Sequence, residues 1–148
     1  MCRIGLFTFA LLSLAAALFA RWDDAYGRGL IPFWINYADY YTLLVFVNGH
    51  EETSDIIQIR FCDEHGNWSS DPTADTWTIR QREMLTFSTT RRSINPREQP
   101  YWIPTTASYG YVKFRALYGG DIHAWALIYN EISGAAMVVP AYDQDKGF

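Results

Sequence analysis

The sequence predicts an all-β protein: an antiparallel β-sandwich of about eight strands, preceded by an apolar N-terminal helix acting as a leader. Three observations lead there. After Ala20 the apolar residues fall in short runs rich in Val, Ile, Phe, Tyr and Trp. Most runs alternate with period two rather than 3.6, the signature of a strand with one buried face. Gly, Asn, Asp and Pro separate them at intervals of roughly 8–15 residues. No internal repeat or low-complexity tract interrupts the pattern. The expected organisation is a leader over residues 1–20, one sandwich domain over 21–141 and a polar, frayed tail over 142–148.

Leu30–Ile35 reads as an edge strand, because Pro32 has no N–H to give to a ladder. Tyr40–Val47 follows, ended by Asn48-Gly49, a strong hairpin or turn signal. Its two faces, Tyr41/Leu43/Val45/Val47 and Thr42/Leu44/Phe46, are both largely apolar. That predicts a central strand covered on both sides, or one whose outer face packs on a neighbouring subunit. In Ile56–Cys62, Ile57, Ile59 and Phe61 share one face and Gln58, Arg60 and Cys62 the other. Asp63–Asn67 is a turn, with Gly66 or Asn67 able to take positive φ.

Thr76–Arg80 and Met84–Ser88 are shorter strands joined by Gln81-Arg82-Glu83. The stretch Thr89–Ser108 holds Pro96, Pro100 and Pro104, which forbid a continuous helix and disfavour a central strand. Loops of that length in compact domains are usually functional or mobile. Tyr109–Ala116 sets Val112, Phe114 and Ala116 against Tyr111, Lys113 and Arg115. Ile122–Tyr129 sets Ile122, Ala124, Ala126 and Ile128 against His123, Trp125, Leu127 and Tyr129. Ala135–Val139 ends at Pro140.

The first twenty residues set the compartment. Arg3 precedes an apolar run, Ile4 to Ala20, that ends in small residues, the layout of a secretory leader. Ala15-Ala16-Ala17 offers a small-x-small cleavage pattern, and Leu18-Phe19-Ala20 a poorer one. The rival reading is a retained anchor, since the run's 17 residues meet the lower limit of roughly 17–25 for a membrane span. Cys2 lies before the run, so a lipoprotein is excluded by position. No other segment is long and apolar enough to cross a bilayer.

Removing 20 of the 148 residues leaves about 128, enough for one domain with its own core. With 49% hydrophobic, 17% aromatic and 19% charged residues, the chain can offset its ordering entropy and is not disordered. The formal net charge is −4, or −5 once Arg3 leaves with the leader. An acidic balance argues against nucleic acid as a partner, because phosphate contact drives that affinity. Cys62 is then alone in the mature chain, which rules out an intrachain disulfide. It reads as a strand cysteine in the sandwich rather than an intermolecular bridge.

The order Trp22…Ala25…Gly29-Leu-Ile-Pro32, then Thr42–Asn48, then short strands up to Ile122–Tyr129, resembles the sensory rhodopsin transducer-like β-sandwiches. It is also similar to many secreted single-domain sandwiches. Transducer-like relatives lack an export leader and this chain has one, so the resemblance implies the architecture alone.

Reactive constellations are sparse. His50, His65 and His123 show no His-x-x-x-His, His-Glu-x-x-His or Cys-x-x-Cys spacing, and neither a metal nor a cofactor is expected. There is no Gly-x-Ser-x-Gly elbow. The acidic pairs Asp63/Glu64, Asp71/Asp75 and Asp143/Asp145 miss the calcium-loop pattern and read as turn caps. A small hydrolase or lyase using His123, with Asp121 and Tyr129, is the enzymatic alternative.

The aromatics point elsewhere. Six tryptophans in 148 residues exceed what a core of this size needs. Trp77 and Trp125 lie within strands and are expected to be packed. Trp68 follows the tight turn at His65-Gly-Asn, and Tyr101-Trp102 stands between Pro100 and Pro104. Aromatics held on loops make flat, preorganised contacts for a glycan, a peptide or a second copy of the chain. The competing expectation is that the long loop folds back and plugs an open end of the sandwich. Arg80, Arg82, Arg91, Arg92 and Arg97 concentrate basic charge nearby, either solvated or turned to an anionic surface. The expected contact residues are therefore Trp68, Tyr101 and Trp102, with Arg91 and Arg92 as polar neighbours. The function expected is that of an exported, non-enzymatic binding or self-associating module. A membrane-tethered surface or filament subunit that retains residues 4–20 is the alternative, and that segment would be its one contact with a membrane.

Overall fold

A computed structural model describes residues 28–70, 75–91, 100–118 and 121–143. The leader, Arg92, Arg97, Asp71 and Asp145 lie outside the described residues. Among the described residues ten strands form: β1 Arg28–Ile35, β2 Tyr40–Asn48, β3 Asp55–Cys62, β4 Thr76–Ile79, β5 Met84–Ser88, β6 Tyr101–Trp102, β7 Tyr109–Ala116, β8 Ile122–Asn130, β9 Ala136–Pro140 and β10 Tyr142–Asp143. They build two five-stranded sheets, ordered β10-β1-β7-β3-β4 and β6-β5-β2-β8-β9. All pairings are antiparallel except β5 with β6. The all-β sandwich is as expected; the strands exceed eight because two additional pieces are only two residues long.

Each sheet turns its apolar set inward, where the two sets interdigitate. Ile31, Trp34, Ile57, Ile59, Phe61, Val112 and Phe114 meet Leu44, Phe46, Phe87, Ala126 and Ile128 in one buried cluster. Phe46 sits at its centre, edge-on to Phe87 at 5.7 Å and to Phe114 at 5.1 Å. Edge-to-face rings at such distances gain from the ring quadrupoles beyond their area. Buried polar groups between the layers are bonded at two positions. Thr42 Oγ1 accepts from Ile35 N at 2.8 Å and donates to Ile35 O at 2.9 Å, and Trp34 Nε1 donates to Cys62 O at 2.9 Å.

Three expectations need correcting. Asn48-Gly49 ends a strand but makes no hairpin, since β2 and β3 lie in different sheets. The buried Asn48 amide donates to Thr53 O at 3.0 Å and lies 3.4 Å from Ile79 O, tying the crossing chain to the other sheet. β1 is not wholly an edge strand, because β10 pairs with it at Gly29 and Leu30. Pro32 is accommodated where the β1–β7 register shifts, between Ile31 and Trp34, a bulge that needs no N–H from it. Finally, Tyr142–Asp143 belongs to the sheet rather than to a frayed tail. The Asp63–Asn67 turn forms as expected, with Gly66 at φ 88°. Asp63 Oδ1 accepts from the backbone N–H of His65 at 2.9 Å and of Asn67 at 2.8 Å.

Candidate functional site

The expected contact residues divide between the two sheets. Trp68 bridges Cys62 at the rim of the first sheet; it is 48% exposed and lies under the Arg60 guanidinium at 3.8 Å. Tyr101 and Trp102 form β6 and extend the second sheet beyond β5. Trp102 is 41% exposed and carries the Arg91 guanidinium at 4.1 Å. The Tyr101 ring stands 5.6 Å from Phe87. The proline-rich stretch both projects and plugs: Tyr101 and Trp102 face out, while Ile103 is buried and its N–H donates to Ser88 O at 2.9 Å. The chain then crosses to the first sheet, where Thr106 N donates to Ser69 O at 2.8 Å. Trp68 and Trp102 thus belong to different sheets, their following segments joined by the Ser70–Thr105 bridge.

The outer surfaces of the two sheets differ in chemistry. On the first, register places Arg28, Arg115, Gln58 and Thr76 in one row and Lys113 beside Arg60 in another. This row is knitted together: Arg115 Nε donates to Gln58 Oε1 at 2.7 Å, Gln58 Nε2 donates to Asp75 Oδ2 at 2.6 Å, and Arg60 Nε lies 3.5 Å from Asp75. Burial pulls both guanidiniums below their usual range; Asp75 opposes the shift at Arg60, while Arg60 adds to it at Arg115. It is a polar surface whose central Arg115 and Asp75 are largely covered by their neighbours.

The second sheet is different. Leu44 and Phe46 of β2 point inward, so Tyr41, Leu43, Val45 and Val47 point outward. Ladder partners share a face, which brings His123, Trp125, Leu127 and Tyr129 of β8 and Met84, Thr86 and Ser88 of β5 alongside them. Val138 and Pro140 of β9 continue the face on one side and Trp102 of β6 on the other. No Asp, Glu, Lys or Arg occupies any of these outward positions. Val138 is 62% exposed and Met84 52%, whereas Val45, Ser88 and Tyr41 are buried within the single chain, Tyr41 against Tyr129 with ring centroids 5.3 Å apart. Trp125, expected to be packed, is half-buried on this outer face, whereas Trp77 packs on Phe87 at 4.6 Å. Sequence reasoning saw the doubled apolar character of β2 but not the neighbours that make it a surface, because these follow from topology.

Asp121 and His123 form an exposed pair, 3.2 Å apart, at one end of this sheet. Tyr129 lies six residues further along β8, about 20 Å away at strand rise. The three groups thus do not converge on one centre. Among the described residues no three His, Cys, Asp or Glu gather as metal ligands, and no helix is long and apolar enough to cross a membrane. Comparisons with protein-family models, curated proteins and solved structures find no match to this chain.

Cys62 is buried, and burial raises its thiol above the ordinary value, with Tyr111 and Lys113 pulling the other way. Burial raises the Tyr111 hydroxyl as well. Both groups hold their protons more tightly folded than unfolded. Their stabilisation is complete below the unfolded values and is lost as pH rises through the folded ones. The urea midpoint should therefore stay level through neutral pH and fall above about pH 8.5. Maleimide should modify Cys62 at least about tenfold more slowly in the folded chain than in urea; equal rates would contradict the burial.

Proposed function

We propose that the protein is an exported, non-enzymatic β-sandwich module that works by binding or structural self-association at the cell envelope or outside the cell. The observation that carries this reading is the uncharged, apolar outer face of the second sheet, with Trp102 at its rim. A soluble monomer rarely shows contiguous apolar surface beyond a few hundred Å² unless something docks there. The leader-like Arg3–Ala20 supports export, and the separation of His123 from Tyr129 supports a role without chemistry.

Two measurements test it. Sequencing the N-terminus of the protein isolated from cells should give a start near Leu18 or Arg21. An N-terminus still carrying residues 4–20 would favour the tethered surface or filament subunit. Wild type and Trp102→Ala are then compared on glycan and peptide arrays and by light scattering. At least one interaction should weaken by roughly tenfold with the melting temperature unchanged. A folded Trp102→Ala chain that keeps every binding and assembly property would remove Trp102 from the site.

A further inference from the structure

We infer that the occupant of this face is a second copy of the chain, packed sheet against sheet about a two-fold axis running along β2. The inference rests on the contact role just proposed and names the partner. Size is the first argument. The strands of this face hold 2, 5, 9, 9 and 5 residues in spatial order, which at strand rise and spacing cover about 475 Å². With side-chain relief this approaches the roughly 600 Å² per partner at which specific interfaces begin.

Self-complementarity is the second argument. β2 is the middle strand of this sheet, so an axis along it exchanges β5 with β8 and β6 with β9. At the levels of Val45 and Leu43 the outward residues of β8 are large and those of β5 are short. Trp125 and Thr86 both pair with Val45, and Leu127 and Ser88 both pair with Leu43. The rotation therefore sets Trp125 of one copy over Thr86 of the other, and Leu127 over Ser88. By the same rule Trp102 meets Val138, since β6 and β9 flank the sheet at that level. Bulk faces hollow on both sides of the axis, as an isologous contact requires.

Charge is the third. The face carries no like charges to repel its own copy. Arg91 beside Trp102 and Glu131 after β8 stand at the same end of the sheet, and the axis turns them toward each other. A strongly charged partner would find nothing complementary on this surface.

The test is sedimentation equilibrium on the protein isolated after export. Wild type should be a dimer. Thr86→Lys, which fills the hollow opposite Trp125, should raise the dissociation constant roughly 100-fold. Thr78→Lys, on the outer face of the first sheet, should leave it unchanged. Val138→Lys, on an edge strand where lysine is well tolerated, should act as Thr86→Lys does and keeps the test open should that variant unfold. A monomeric wild type, or a folded Thr86→Lys or Val138→Lys chain as dimeric as wild type, overturns the inference. So does a monomer whose tryptophan emission shifts on adding phosphatidylcholine vesicles, which would assign the face to lipid. Each of these outcomes leaves an exported binding module standing. A dimer whose N-terminus shows no processing and which remains in the cytoplasm would instead defeat export alone.

Discussion

Gly110→Ala is expected to abolish cooperative folding. Gly110 pairs with Trp34 between β1 and β7, and a Cβ there would overlap the Cys62 carbonyl oxygen and lie 2.8 Å from Asp63 Cα. Both obstacles are backbone, so no rotamer change relieves them. The same carbonyl accepts the Trp34 Nε1 hydrogen bond. Pushing it aside separates the end of β3 from β7 and strips a buried indole of its acceptor. Combined steric and polar losses of this kind reach at least about 4 kcal/mol, against a total stability of about 5–15 kcal/mol for an ordinary domain. A urea transition read by tryptophan emission should be absent or shifted far below wild type; a midpoint close to wild type would contradict the close approach.

Phe46→Ala should cost about 3–5 kcal/mol, the range for emptying a fully buried aromatic site. Phe46 contacts Phe87 in its own sheet and Phe114 in the opposite one, so the cavity would open where the layers meet. Val47→Ala, one residue further along β2 and on the outward face, should cost no more than about 1 kcal/mol in the monomer. The contrast between adjacent positions matters more than either value. Equal losses would mean that β2 is buried alike on both faces within a single chain.

The strands β3, β7 and β8 were readable because their alternation runs seven residues or longer, and β2 because its β-branched and aromatic run ends at Asn48-Gly49. β6 and β10 were not: two residues carry no period, and only the neighbouring strand makes them strands. The crossing after β2 was hidden because Asn48-Gly49 is chemically suited to a hairpin. The Asn48 side chain is bonded to Thr53 in the crossing segment and to Ile79 of the other sheet, a tertiary fact. The candidate site was half legible. Trp102 and Arg91 meet as the local sequence suggested, while Trp68 stands on the other sheet. Sequence distance does not reveal which sheet a turn decorates. Likewise, the apolar outer side of β2 was visible in the chain, while its extension through Trp125, Leu127 and Val138 needed the register.

Hydroxyl-radical footprinting of the exported protein in its native setting tests the central claim most directly. The outer face of the second sheet is held to be the contact surface, and the first sheet to face solvent. Labelling of Met84, Trp102 and Trp125 should fall several-fold relative to the unfolded chain, with Trp68 serving as the exposed reference. Oxidation of Met84 and Trp102 as fast as that of Trp68 would show the apolar face open to water, contrary to this account.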